Sequence, residues 1–342
     1  RYVRMLLEAS PDGFSGASRD NKLLLRYTET LAAYFGRRRD ELAYLFGRVM
    51  TSSNPEALFK DALSKRGLLP PAADRESTDE QRNRVGISVT TSFFLVALFH
   101  ISRIDQETPP TDAEIAALVE SVHSVCAHGL AFPQGFWART DYAELEKTAA
   151  LSVEETAAPD GLLPAVASVV ADVGAWHASM EMVAKRSGLS KSGLYAHFKS
   201  KEDMLSRLFI TEFERISAVM ADRCAHVQEP SDRLYVAIAT AASYLLARPD
   251  VLIALDWVRT QRLDLGRIMP ESLNRSFSFL KEGAVNGKIS LLPGGYSSTM
   301  RWLLFLTVHQ LVRCRNLSVD LAEVHLKLRT LHAFILNGLG EP

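Results

Sequence analysis

Between Lys185 and Lys201 the chain carries Lys185, Arg186, Lys191, Lys199 and Lys201, and no carboxylate interrupts them. Hydroxyl and ring groups lie among them: Ser190, Ser192, Tyr195 and His197. One-signed charge mixed with short hydroxyls is the chemistry of phosphate binding. Lysines neutralise the anion, hydroxyls donate to it, and N–H groups at a helix start add further donors. Charge alone reads as a solvated face. The spacing of these groups gives the segment its meaning.

That spacing requires two short helices. Ser179 is placed to cap a helix whose inward side is Met180, Val183 and Ala184, and Gly188 is placed to end it in a left-handed conformation. Leu189 turns inward, and Ser190 caps a second helix with Leu194 and Phe198 on its buried side. Two helices joined by a tight glycine turn predict a helix-turn-helix. Upstream, Val166, Val169, Val170 and Val173 recur at helical spacing, predicting a supporting helix over 161–173 with Pro164 in its first turn.

This stretch resembles the TetR repressors. Gly174, Ser179, Val183-Ala184, Gly188, Leu194, Tyr195, His197, Phe198, Ser200 and Lys201 fall on that family's pattern without a gap. The resemblance implies that Ser190, Lys191 and Ser192 face base edges in the major groove. It implies that Tyr195, His197, Lys199 and Lys201 hold phosphates, with Ser179 adding a contact to the DNA backbone. Two positions depart from the pattern. Ala178 stands where a hydroxyl is common, which removes one phosphate contact. Gly193 stands where Ser or Thr often touches phosphate, and is expected to let the backbone approach DNA closely.

The rest of the chain also reads as helix. Apolar residues recur at three and four places and strict alternation is absent, so the expected class is all-α: a helix-turn-helix domain with two helical-bundle regulatory domains. Helices are predicted near 20–36, 38–51, 82–104 and 111–130, and again near 201–224, 231–247, 249–263, 271–285, 295–315 and 318–337. Sliding the chain by 210 places pairs Tyr34 with Tyr244, Arg38 with Arg248 and Asp40 with Asp250; 209 places pair Glu114 with Glu323 and His123 with His332. The expected division is a first regulatory domain at 1–145, a linker at 146–159, the DNA-binding domain at 160–208 and a second regulatory domain at 209–342. On this reading a copy of the DNA-binding segment falls just ahead of Arg1. In the family, the last two helices of the regulatory region join subunits. Self-association is therefore expected through 82–104 with 111–130 and 295–315 with 318–337, within one chain or between chains.

A net charge of −1 with 23% charged residues excludes a disordered polyanion or polycation, so any DNA-binding surface must be local. Cys126, Cys224 and Cys314 are widely separated and form no disulfide framework, and no apolar run reaches the ~20 residues that span a bilayer. The expected location is cytoplasmic, with no membrane partner. No phosphate-binding glycine loop, His-Glu-x-x-His or Gly-x-Ser-x-Gly occurs, so an enzyme is not expected, and no cofactor or metal is implied. The expected partners are a double-stranded, palindromic operator and a small, mostly apolar effector. Its candidate pocket residues are Phe93, Phe94, Phe99 and His100 in one half and Trp257, Trp302, Phe305 and His309 in the other. The competing reading is a TetR-shaped ligand sensor or protein-interaction module that no longer binds an operator.

Overall fold

The computed structural model describes residues 19–38, 41, 65, 78–101, 103, 108–130, 140–260, 271–286, 289–292 and 295–339. The helix expected at 38–51 lies outside them, as does the side chain of Trp257. Every regular element among the described residues is an α-helix. The chain gathers into two compact units, residues 1–134 with 288–302 and 330–342, and residues 135–287 with 303–329.

The first unit holds α1 (Arg19–Arg37), α2 (Asp79–Ile101) and α3 (Asp112–His128), all packed on one another. It also holds the start of α14 (Gly295–Asn316) and the end of α15 (Leu321–Asn337). Leu31, Phe35, Val96, Cys126, Trp302 and Phe334 are core. Polar groups inside find partners: Thr28 Oγ1 donates to Leu24 O, Trp302 Nε1 donates to Thr91 Oγ1 at 3.2 Å, and His100 Nε2 sits 3.1 Å from Ala32 O. Thr111 and Glu114 close a capping box at the start of α3, each satisfying the other's backbone N–H. By length and composition α2 alone among the described helices could cross a membrane, yet most of it is buried in this unit. Its mixture of Ser88, Thr90, Thr91 and Ser92 with apolar residues hid that length in the sequence.

The second unit is built on α9 (Lys201–Ala225). Met204, Leu205, Leu208, Phe209, Phe213, Ile216, Met220 and Cys224 recur at three and four places and form its buried face. α10 (Pro230–Ala247) and α12 (Glu271–Ser276) pack on it, and α13 (Ser278–Val285) follows after a break at Phe277. The sequence predicted one helix over 271–285; Phe277 leaves helical geometry at φ −111°, ψ 15°.

The stretch read as a linker is structured and tied down. α4 (Tyr142–Ala149) and α5 (Val153–Thr156) occupy it, the latter closed by a Ser152–Glu155 capping box. Arg223 on α9 donates to both Glu155 carboxylate oxygens, and Arg215 donates to Ala157 O. Glu146 on α4 accepts two bonds from Arg329 at 2.8 Å and one from Tyr235 at 2.7 Å, with His325 Nδ1 3.3 Å away. Burial opposes ionisation of Glu146. The bonds from Arg329 and Tyr235 and the charges of His325 and Arg329 outweigh it, holding the carboxyl below the usual range.

A depressed carboxylate stabilises the fold fully above its unfolded pKa and loses that contribution as pH falls through the lower folded value. Wild-type melting temperature is therefore expected to drop below about pH 4. Glu146→Ala is expected to cost about 2 kcal/mol at neutral pH and to flatten this acid drop. Melting curves of both proteins from pH 3 to 7 check it, and an unchanged acid drop in the variant would contradict it.

Candidate nucleic-acid interface

The supporting helix is α6 (Leu163–His177), with Pro164 in its first turn and Val166, Val169 and Val170 buried. Gly174 breaks it at φ 75°, ψ 150°, a conformation that side-chain-bearing residues rarely adopt. The chain then enters α7 (Met180–Ser187), where Ser179 Oγ accepts from Met182 N at 3.2 Å. Met180, Val183 and Ala184 face inward, and Gly188 ends the helix in the left-handed region, its N–H bonded to the last turn. Ser190 caps α8 (Lys191–Tyr195) by accepting from Gly193 N at 3.0 Å, and Leu194 and Phe198 are buried.

With those apolar groups turned in, Ser190, Lys191, Ser192, Tyr195, His197 and Lys199 are all exposed, and Lys185 is exposed beside them. Tyr195 keeps 49% of its surface open, which is high for an aromatic residue. Ser179 and Lys201 are half-buried. Lys199 N donates to Asp203 Oδ2 at 2.9 Å, and Ser200 Oγ accepts from Asp203 N, so the turn after α8 is fixed by the first turn of α9. Bond donation from Lys199 N leads the causes that hold the Asp203 carboxyl below the usual range.

Two positions behave differently from the sequence reading. Arg186, one of the run of cations between Lys185 and Lys201, reaches back to α6, where it donates to Ser168 Oγ and pairs with Asp172 at 2.6 Å. Its charge ties α7 to α6. Gly193 is half-buried, and a Cβ placed on it meets Ser190 Oγ at 3.3 Å. Its bare backbone therefore makes room for the cap of its own helix.

The interface is coupled to the bundle behind it. Within the second unit α6 packs against α11 (Pro249–Thr260) and against α9, which begins at the interface itself. At the far side of α9 the wholly buried Glu212 accepts from Tyr244 at 2.7 Å and pairs with Arg248 at 3.3 Å. Burial and the charge of Glu212 push the Tyr244 hydroxyl up to about 12. This network escaped the sequence reading because a single glutamate on a long helix gives no signal of burial.

The candidate effector residues are dispersed. Phe93, Phe94, His100, Trp302 and Phe305 are buried, Phe99 is stacked 4.0 Å beneath the Arg103 guanidinium, and His309 stacks on Phe305. Instead, an open groove of about 860 Å³ runs between α1 and α3 in the first unit, lined by Leu25, Ala33, Ile115, Ala116 and Val119 with Glu29 and His123. None of the predicted aromatic positions lines it. Burial raises the Glu29 carboxyl against the pull of Arg26, and burial with the charge of His128 lowers His123.

Cys126 is pushed up to about 12 and Cys224 to about 11, in each case by burial, which makes both poor nucleophiles and poor ligands. Among the described residues no cluster of His, Cys, Asp and Glu is placed to hold a metal.

The geometry defines a helix-turn-helix: two short helices around a left-handed glycine turn, presenting exposed lysines and no carboxylate from Lys185 to Lys199. Residues 162–208 match the family described as bacterial regulatory proteins, tetR family. This segment thus carries the helix-turn-helix domain of the TetR family.

No curated protein matches the chain. Among solved structures it is similar to the fatty acid degradation regulator FadR from Bacillus halodurans, at 18% identity and a TM-score of 0.41, over 54% of this chain and all of that one. FadR from Bacillus subtilis, solved with stearoyl-CoA, is similar at 20% identity and a TM-score of 0.42, over 52% of this chain and 97% of that one. The TetR-family regulator PfmR from Thermus thermophilus gives 18% identity and a TM-score of 0.37, over 53% of this chain and 96% of that one.

Proposed function

We propose that this protein is a cytoplasmic, ligand-responsive repressor that reads a palindromic operator through the face running from Ser179 to Lys201. Ser190, Lys191 and Ser192 read base edges; Tyr195, His197, Lys199, Lys201 and Ser179 set register on phosphates; Lys185 adds charge beside them. The observation that carries the reading is the exposed stretch from Lys185 to Lys201, which holds no carboxylate, on a rigidly capped helix pair. Phosphate contacts of this kind supply affinity, and the short hydroxyls and Lys191 supply discrimination.

The regulatory region falls into the domains 1–145 and 209–342, separated by the tether at 146–159 and the DNA-binding domain at 160–208. A small, mostly apolar effector occupies the α1–α3 groove, whose apolar walls and few ionisable groups suit a molecule with one polar end. Its binding shifts the protein toward a state with lower operator affinity, as linkage requires of an inducer.

Selection of bound duplexes from a randomised DNA pool tests the reading. One enriched motif, relaxed at one position in Lys191→Ala, is the expected result. Recovery of no motif beyond the input pool would favour a sensor that has no operator.

A further inference from the structure

Two segments far apart in the chain meet in the first unit through a reciprocal pair of backbone bonds. Leu130 N donates to Ile335 O at 2.7 Å, and Leu339 N donates to Cys126 O at 2.8 Å. Ile335 lies 209 places after Cys126, and Leu339 lies 209 places after Leu130. Exchanging the two segments turns each bond into the other.

The glycines between them obey the same exchange. Gly129 (φ 60°) faces the backbone of Ile335, Leu336 and Asn337; Gly338 (φ 63°), 209 places later, faces that of Cys126, Ala127 and His128. A Cβ on either would sit closer than 3.0 Å to those atoms, nearer than real side chains approach. The helices leading in correspond as well. α3 spans Asp112–His128 and α15 spans Leu321–Asn337, the same offset at both ends. Their caps match, with Thr111 Oγ1 accepting from Glu114 N and Asp320 Oδ1 from Glu323 N. Buried positions match too: Val122 with Leu331, Cys126 with Ile335, Ala127 with Leu336.

Reciprocity of this kind, residue i touching j while the counterpart of j touches the counterpart of i, is the mark of a two-fold, isologous interface. An accidental crossing of two helices has no reason to repeat one offset in its bonds, its glycines, its caps and its burial. We infer that this seam is a subunit-type interface formed inside one chain, with the second half of the chain as its occupant. A second copy is not needed at this surface, so the regulatory core completes itself at any protein concentration. The inference stands on the seam alone and is independent of the operator-binding reading.

Sedimentation equilibrium of the full chain over a wide concentration range, together with melting of Gly129→Ala and Gly338→Ala, tests it. The expected result is the mass of one chain, 37.9 kDa for residues 1–342, at every concentration, with both substitutions lowering the melting temperature alike. Each carries a strained φ and a backbone clash, so a drop of about 5 °C or more is expected. A two-chain mass that either substitution reduces to one chain would overturn the inference, as would a melt that alanine at one of the glycines leaves unchanged. If neither variant folds, the wild-type mass decides alone: one chain supports the seam as internal and a dissociating pair overturns it.

Discussion

Replacing Lys185, Lys191 and Lys199 together by alanine is expected to remove high-affinity DNA binding while leaving the fold intact. All three side chains are exposed, and the ion pairs of this region run instead through Arg186 and Arg207. Each neutralised phosphate contributes about −0.9 to the slope of log affinity against log salt, so losing the phosphate contacts of Lys199 and Lys185 flattens that slope by up to about 2. Affinity near physiological salt falls on the order of a hundredfold or more. The single variants separate the roles: Lys199→Ala weakens all sequences alike, whereas Lys191→Ala relaxes the choice of base at one position. Circular dichroism and melting unchanged from wild type, beside the lost binding, complete the expected result. Loss of fold along with binding would count against an exposed recognition face.

The second large effect is expected at Glu212. It is 1% exposed on α9, and its carboxylate holds both the Tyr244 hydroxyl and the Arg248 guanidinium. Removing one partner of a buried pair strands the other charge, at a cost of about 3–5 kcal/mol. Asp250, 3.4 Å from Arg248, compensates in part, which places Glu212→Ala toward the lower end. Replacing Glu212 and Arg248 together by methionine strands no wholly buried charge, leaves the Tyr244 hydroxyl without its acceptor, and is expected to recover part of the loss. Urea midpoints of the single and double variants check this. A double variant less stable than Glu212→Ala would contradict the account.

The helical class and the helix-turn-helix were legible because their signals are local. A serine three residues before a backbone N–H, a glycine at a helix end and leucine or phenylalanine four apart each act within one turn. Most helix ends fell within a few residues of the structure for that reason. Longer-range pairings were not legible. Arg186 reads as a free cation until α6 folds back and presents Asp172; Glu146 reads as linker until Arg329, far along the chain, closes on it. The aromatic positions proposed for a pocket are mostly core, because a ring on an apolar helix face has the same pattern whether it fills space or lines it. Trp302 illustrates this: it is wholly buried, with its N–H spent on Thr91. The offset of 209 was visible in two identities, Glu114 with Glu323 and His123 with His332, but its meaning depends on backbone atoms at Gly129 and Gly338, which no side-chain pattern records.

The most direct test of the central claim is fluorescence-anisotropy titration of a labelled duplex carrying the selected motif, repeated across a salt series with wild type and the triple lysine variant. The account predicts tight wild-type binding that weakens steeply with salt, and a variant whose binding is weak and whose slope is flatter by about one for each lysine that meets a phosphate. Wild-type binding insensitive to salt, or equal binding by the variant, would contradict it.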